Sequence, residues 1–260
     1  YYDEKYDKTE FFRGIITGNA RHDDIFTRAK ELRIPYEARR AIFLIRAEKA
    51  EDLQVPEIIG SIFPNRNKDF VIVIDKDNTV LVKELKPAGN LNEPERISKM
   101  IIDTLNAEIM TKVYIGIGTV SSSLGDLARS YGEARKAIRI GSIFDSDKYV
   151  VDFNKLGIGR LIYRLPTDIC KLFLREVFKD ESENLFDAET LHTVRRYFEN
   201  NLNVSETARQ LYVHRNTLVY RLDRIQKITG LDLRKFDDAV ILKIALMVRR
   251  YLECGGAGEE

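Results

Sequence analysis

The patterns typical of β-strands stop at about residue 157 of this chain, and that asymmetry constrains the fold most. Residues 41–45 and 70–74 are five-residue apolar runs, which favours strands buried within a sheet. A further β-rich run at 79–82 is separated from 70–74 by four polar residues, so the runs at 70–74 and 79–82 predict a hairpin. From residue 157 onward, amphipathic helical patterns replace the strand patterns. The sequence therefore predicts an α+β fold class, with an α/β sheet domain over 1–155 and an all-α domain over 156–253.

Within the first domain the patterns predict two helices and then the order β-α-β-β-α-β-α-β. The helices are expected at 11–17, 24–32, 55–63, 93–110 and 124–140. The three serines Ser121, Ser122 and Ser123 precede the last of these helices, and we interpret them as a helix entry with serine caps.

The composition of the chain limits the kinds of binding surface and cellular setting that are possible. Lys and Arg number 42 against 41 Asp and Glu, a net charge of +1, so a nucleic-acid surface would have to be a local patch. Cys170 and Cys254 fit no metal-binding spacing and are interpreted as reduced thiols of a cytoplasmic protein. The apolar runs are far too short to cross a membrane. The chain begins with Tyr1, so we expect it to be a fragment whose upstream segment is missing.

Residues 203–230 have the pattern of a helix-turn-helix. Asn203 is a plausible N-cap with Glu206 three residues later, as in a capping box. A second helix is expected from His214 or Arg215 to residue 229, closed by Gly230. His214 is expected either to cap this helix or to contact a phosphate, and the sequence leaves both open. The second helix would then be the recognition helix.

The helical period assigns two faces to the second helix of this motif. Leu218, Leu222 and Ile225 recur at the spacing of a core-facing stripe. The opposite side is expected to carry Asn216, Tyr220, Asp223 and Lys227. Residues 203–230 contain five cations against two acids, a local excess of three positive charges in a chain that is nearly neutral overall. This excess favours binding to DNA phosphates.

The amino-acid sequence of this segment resembles that of one known family. The string TARQLYVHRNTLVYRL at 207–222, followed by TGLDL at 229–233, closely resembles the C-terminal DNA-binding domain of the CdaR/PucR family, bacterial transcriptional regulators that respond to sugar diacids or purines. The resemblance, together with a more distant one to the factor-for-inversion-stimulation type, implies that Arg215 contacts a base and Thr217 a phosphate. Val219 departs from the family, which often has Arg there. The candidate DNA-binding residues are Ser205, Thr207, His214, Arg215, Asn216, Thr217, Tyr220, Arg221, Arg224 and Lys227.

The first domain resembles, more weakly, the GGDEF-like domain that this family places before its DNA-binding domain. The resemblance rests on VYIGIG at 113–118 and LGDLARSYGEARKA at 124–137. The hairpin tip reads DKDNT at 75–79, without the glycines of a cyclase, and Ile45-Arg46-Ala47 lacks its metal-binding Asp. The domain is therefore expected to be degenerate, with no catalytic residues, no metal and no cofactor.

Three further patterns receive structural interpretations. Asp75, Asp77 and Thr79 have the odd-position spacing of a calcium loop, but Val80 replaces the turn glycine, so we interpret them as a solvated hairpin tip. Gly116 and Gly118 lack the third glycine of a dinucleotide site and are attributed to strand-end geometry. The histidines His22 and His192 have no metal-ligand partner at helical spacing.

The sequence thus predicts a DNA-binding transcriptional regulator that is not an enzyme. A helix-turn-helix regulator is expected to bind double-stranded DNA as a homodimer on an inverted repeat. The resemblance places the effector, such as a sugar diacid, on the segment upstream. Two alternatives stay open: a nucleotide-binding but inactive GGDEF-like sensor, and a helical module whose basic face binds protein.

Overall fold

The computed structural model of the protein describes residues 2–47, 54–65, 67–87, 90, 92–109, 112–145, 147–178 and 186–256. The chain divides into two compact units, Tyr1–Gly157 and Ile158–Glu260. No helix within these described ranges combines the length and the apolar character needed to cross a bilayer.

The first unit is a mixed sheet covered by helices on both faces, which agrees with the predicted order of elements. Its helices are α1 (Tyr2–Ile16), α2 (His22–Glu31), α3 (Gln54–Ile62), α4 (Glu93–Glu108) and α5 (Leu127–Phe144). Its strands are β1 (Glu37–Ala47), β2 (Asp69–Val73), β3 (Asn78–Glu84), β4 (Val113–Ile117), β5 (Ser121–Ser123) and β6 (Val150–Asp152). The strand order is β2-β3-β1-β4-β6, with β5 paired to β1. Among the described strand pairs, β4–β6 is parallel and the others are antiparallel.

The central strand β1 is buried on both faces, as its apolar run predicts. Ile42 and Leu44 pack into the core formed with α1, α2 and α5. Phe43 and Ile45 point to the other face and pack with α3 and α4. The alternation follows from the two-residue period of a strand.

The hairpin between β2 and β3 forms as predicted, with Val73 opposite Thr79. At its tip the Asp75 carboxylate accepts hydrogen bonds from the backbone N–H groups of Asp77 and Asn78, at 2.9 and 3.0 Å. This is an Asx-type turn, which stabilises the tip without a metal. Among the described residues, no group of His, Cys, Asp and Glu could hold a metal ion.

The serine segment before α5 contradicts its prediction. Ser121–Ser123 form the strand β5, and Ser121 pairs with Arg40 of β1. Ser123 occupies the N-cap position of the short 3-10 helix Leu124–Asp126, but its hydroxyl donates to the carboxylate of Asp126 and makes no capping hydrogen bond to the backbone. The pattern failed because the partner strand lies about eighty residues earlier in the chain, beyond the reach of local periodicity.

Gly116 and Gly118 are required by close helix–strand packing rather than by the end of a strand. A Cβ on Gly116 would lie 2.1 Å from the carbonyl oxygen of Ala134, and one on Gly118 would lie 2.0 Å from that of Ser130. Both carbonyls belong to the backbone of α5, which therefore lies directly against β4. The Ser130 hydroxyl donates to the Thr119 carbonyl oxygen at 2.8 Å and stabilises this contact.

This packing predicts opposite effects for two glycine substitutions. Gly116→Ala should lower the free energy of unfolding by at least about 1–3 kcal/mol, because backbone atoms would have to move. Gly132→Ala, in α5 with nothing within 4 Å of the added Cβ, should raise it by about 0.5–1 kcal/mol through helix propensity. Calorimetric unfolding of both variants measures this, and equal effects would contradict the close approach.

The second unit is helical. It contains α6 (Ile158–Ile162), which the sequence did not predict, and α7 (Thr167–Phe178), α8 (Ala188–Glu199), α9 (Val204–Gln210), α10 (Arg215–Thr229) and α11 (Phe236–Glu253). Its core joins Phe178 of α7, Val194 and Tyr197 of α8, and Leu242 and Ala245 of α11. The two cysteines of this unit are free thiols, Cys170 buried and Cys254 exposed.

Candidate nucleic-acid interface

The helix α9 begins at the predicted cap. The Asn203 side chain accepts a hydrogen bond from the backbone N–H of Glu206 at 3.1 Å. The reciprocal half of the capping box does not form, because the Glu206 carboxylate accepts from Arg209 and Gln210 instead. These hydrogen bonds lower the pKa of Glu206. The N-cap is therefore confirmed and the full capping box is wrong.

The helix α10 is capped at both ends by the predicted residues. The Nδ1 atom of His214 accepts a hydrogen bond from the backbone N–H of Asn216 at 3.3 Å, so His214 is the N-cap. Gly230 closes the helix with φ of 78°, in the left-handed region that favours glycine. The length and position of α10 are thus fixed by local signals.

The two faces of α10 are those that the period predicts. Leu218, Leu222 and Ile225 are 0, 1 and 0% exposed, and Leu222 and Ile225 join the core of the helical unit. Tyr220, on the opposite side, is 70% exposed. The exposed residues of α10 are Arg215, Asn216, Thr217, Tyr220, Arg224 and Lys227.

The cationic side chains of the motif differ in whether they form ion pairs within the fold, and so in whether they are available to bind a ligand. Arg215, Arg224 and Lys227 form no ion pair within the described part of the chain. Arg209 is paired with Glu206 at 2.8 Å. The exposed side of α10 therefore carries three available cations.

Arg234 strengthens the positive character of α10 from outside the motif. It pairs with Asp223, an acid of α10, at 3.0 Å and with Asp232 at 2.7 Å. It also donates to the side chain of Gln226 at 2.9 Å. Arg234 thus neutralises an acid of the helix and links α10 to the segment after Gly230. No local sequence pattern predicts this role of Arg234.

The position of Thr207 corrects its prediction as a contact residue. Thr207 is 0% exposed, and its hydroxyl donates to the Asn203 carbonyl oxygen at 2.7 Å. It is a packing residue that cannot reach a ligand. Ser205, on the same helix, is exposed as predicted.

Arg221 supports the structure of the motif. It donates to the Thr193 hydroxyl at 3.0 Å and forms an ion pair with Glu189. Both partners lie on α8, so Arg221 ties the two helices together. Local sequence patterns could not show this role, because the partners are 28 and 32 residues away in the sequence.

The partner helix α8 begins with a side-chain cap that was not among the predicted caps. The Asp187 carboxylate accepts from the backbone N–H of Thr190 at 2.7 Å, and hydrogen bonding from Thr190 lowers the pKa of Asp187. This cap holds the first turn of α8, which carries Glu189. The Asp-x-x-Thr spacing is the signal that could have found it.

Comparison with known proteins assigns both units. The sequence profile of the PucR C-terminal helix-turn-helix domain matches residues 190–248, and that of the GGDEF-like domain matches residues 17–140. The chain thus combines the PucR-type C-terminal helix-turn-helix domain with a GGDEF-like domain, the two domains expected of PucR-family regulators. This confirms the resemblance that the motif at 207–222 indicated.

Three PucR-family relatives illustrate the similarity. The purine catabolism regulatory protein of Bacillus subtilis is 29% identical over 57% of this chain and 28% of its own length. The proline-responsive transcriptional activator PutR of the same organism is 29% identical over 78% and 51%. The carbohydrate diacid regulator of Escherichia coli is 27% identical over 71% and 49%. The chain thus spans about half or less of the length of these relatives.

The position of Arg221 predicts that it contributes to stability where its exposed neighbour Arg224 does not. Arg221→Ala should lower the free energy of unfolding by about 1 kcal/mol, the net value of a typical hydrogen bond. Arg224→Ala, the matched control, should change it by less than about 0.5 kcal/mol.

Thermal unfolding of the two variants, and of each combined with Glu189→Gln, measures the effect. The Glu189 substitution should cost less in the Arg221→Ala background than in the wild type. Equal behaviour of the two arginine variants would contradict the supporting role of Arg221.

Proposed function

We propose that this chain contains the DNA-reading part of a transcriptional regulator, and that the exposed face of α10 is the surface that enters the major groove. The observation that carries the proposal is the outward face of a doubly capped helix, which presents the amide of Asn216 and three cations that form no ion pair with the described residues. In a helix-turn-helix the N-terminal residues of the second helix contact base edges. The relatives are transcriptional regulators with this domain, which supports the proposal.

Each exposed residue of α10 receives a role from its chemistry. Arg215, in the first turn, suits bidentate pairing with guanine, and Asn216 suits an adenine edge. Thr217, Arg224 and Lys227 suit phosphate oxygens. His214 caps the helix and Tyr220 lies on the exposed face, so both remain candidates for backbone contacts, as does Ser205. Thr207 and Arg221 are not proposed as contacts.

The remaining functional features are proposals as well. We propose a homodimer that binds an inverted repeat, because helix-turn-helix dimers read two half-sites about one helical turn or its multiples apart. The effector would be a small metabolite, since the relatives are named for purine catabolism, proline response and carbohydrate diacids. Such a regulator would act in the cytoplasm.

We further propose that the GGDEF-like unit is not an enzyme. Its hairpin tip contains no glycine that would let a nucleotide approach the backbone. Its Asp75 carboxylate is occupied by the backbone of the tip and the Asn78 side chain. The unit is then a structural or signal-transmitting domain.

Binding to DNA tests the proposed function directly. Fluorescence anisotropy would compare a duplex from the region upstream of the protein's own gene with a scrambled duplex, over a salt series. We expect tighter binding to the first duplex and a steep fall in affinity with salt, because phosphate contacts release counterions. Equal, weak and salt-insensitive binding to both duplexes would contradict the proposal.

Two substitutions on α10 should separate base reading from phosphate binding. Arg215→Ala should weaken specific binding by about 1–3 kcal/mol and relax the preference at one base position. Lys227→Ala should weaken binding to both duplexes and reduce the salt slope by about one.

Lys243→Ala is the control for these two variants. It removes one exposed cation from α11, outside the helix-turn-helix, and should leave both affinities unchanged. If Arg215→Ala lowered the two affinities equally, Arg215 would be a phosphate contact and its base assignment would be wrong.

A further inference from the structure

The turn between α9 and α10 places a tyrosine where a glycine is favoured. The backbone N–H of Val213 donates to the Ala208 carbonyl oxygen at 3.0 Å, and that of Tyr212 donates to the Arg209 carbonyl oxygen at 3.2 Å. This pair of hydrogen bonds is a Schellman motif, which requires the left-handed conformation at the residue after the C-cap. Tyr212 occupies this position, with φ of 54°. A side chain with a Cβ atom is strained there.

The side chain of Tyr212 makes almost no packing contact that would offset this strain. It is 97% exposed, so it packs against almost none of the described residues. Asn201, another non-glycine residue with positive φ, belongs to a residue type that tolerates this conformation. Leu202, the next such residue, is partly buried against the core. Arg33 also has positive φ and is exposed, but it presents a charged group to water, whereas Tyr212 leaves an aromatic side chain almost completely exposed, which points to a function outside the fold.

The position of Tyr212 indicates what it would meet. It lies two residues before the cap of α10 and three before Arg215, at the end of the helix that is proposed to approach the bases. In a helix-turn-helix the first helix crosses the phosphate backbone before the second enters the groove. The turn between them therefore passes beside phosphates. A tyrosine hydroxyl is one of the groups that donate to phosphate oxygens in such interfaces.

We propose that Tyr212 is a DNA-backbone contact, whose phenolic hydroxyl donates a hydrogen bond to a phosphate at the edge of the groove that α10 occupies. The inference rests on the proposed function and adds to it a residue outside the recognition helix. Tyr212 would fix the register of the motif on the duplex without reading sequence.

This assignment predicts that stability and DNA affinity change in opposite directions in Tyr212→Gly. Glycine relieves the left-handed strain, so the midpoint of thermal unfolding of the helical unit should rise by about 4–8 °C. Loss of the hydroxyl should weaken binding to the upstream duplex and to the scrambled duplex alike, by about three- to tenfold. Because tyrosine is uncharged, the salt slope should not change.

Two further variants of the full chain isolate the cause. Tyr212→Phe keeps the ring and the strain but removes the hydroxyl, so it should bind as weakly as Tyr212→Gly while unfolding at the wild-type temperature. Arg33→Gly is the matched control, since exposed Arg33 has φ of 55° after α2, with the same hydrogen-bond pattern from Ile34 to Ala29. It should leave DNA affinity at the wild-type value.

The outcomes separate this inference from the proposed function. Wild-type protein that does not prefer the upstream duplex and shows no salt dependence would refute the proposed function itself. Wild-type protein that binds as expected, with Tyr212→Gly and Tyr212→Phe binding equally well, would overturn the backbone contact and leave Tyr212 for a protein partner. Weak binding by Tyr212→Gly alone would overturn the role of the hydroxyl.

Discussion

The burial of three apolar side chains determines what the second helix of the motif can do. Leu218, Leu222 and Ile225 are almost completely removed from water, and each contributes roughly 1.5–3 kcal/mol relative to an exposed side chain. A rotation of α10 that brought Tyr220 or Lys227 inward would lose that contribution and bury polar groups. The outward face of α10 is therefore a consequence of the core, and the proposed reading of DNA depends on it.

Around this core, polar contacts hold α10 in place and leave selected cations available. Arg221 joins α10 to α8, and Arg234 joins it to the segment that follows. These two arginines are occupied within the fold, whereas Arg215, Arg224 and Lys227 have no ion pair among the described residues. The net excess of three positive charges in the segment therefore corresponds to these three residues, and the pairing pattern shows where that charge lies. Preorganised contacts of this kind support a binding surface because little needs to be ordered on association.

Local sequence signals predicted most of the fold. They predicted the caps and the two faces of α10, but not all of the contacts that support the site. The strand β1, the hairpin and the capped helix α10 follow from periodicity and turn residues, which act over a few positions. The strand β5, the role of Gly116 and the pairing of Arg221 were missed, because each depends on a partner far away in the sequence. Thr207 was misplaced for a different reason: a threonine in a DNA-binding motif has the same chemistry whether its hydroxyl meets a phosphate or a backbone carbonyl, and only its burial decides.

The central claim is that the exposed face of α10 reads DNA sequence. The most direct test is selection of bound duplexes from a random pool by the full chain, followed by sequencing. The account predicts enrichment of a common site, with two inverted half-sites whose centres lie about 10 base pairs, or a multiple of that distance, apart. A bound pool with the same composition as the starting pool, recovered by folded protein at low salt, would contradict it.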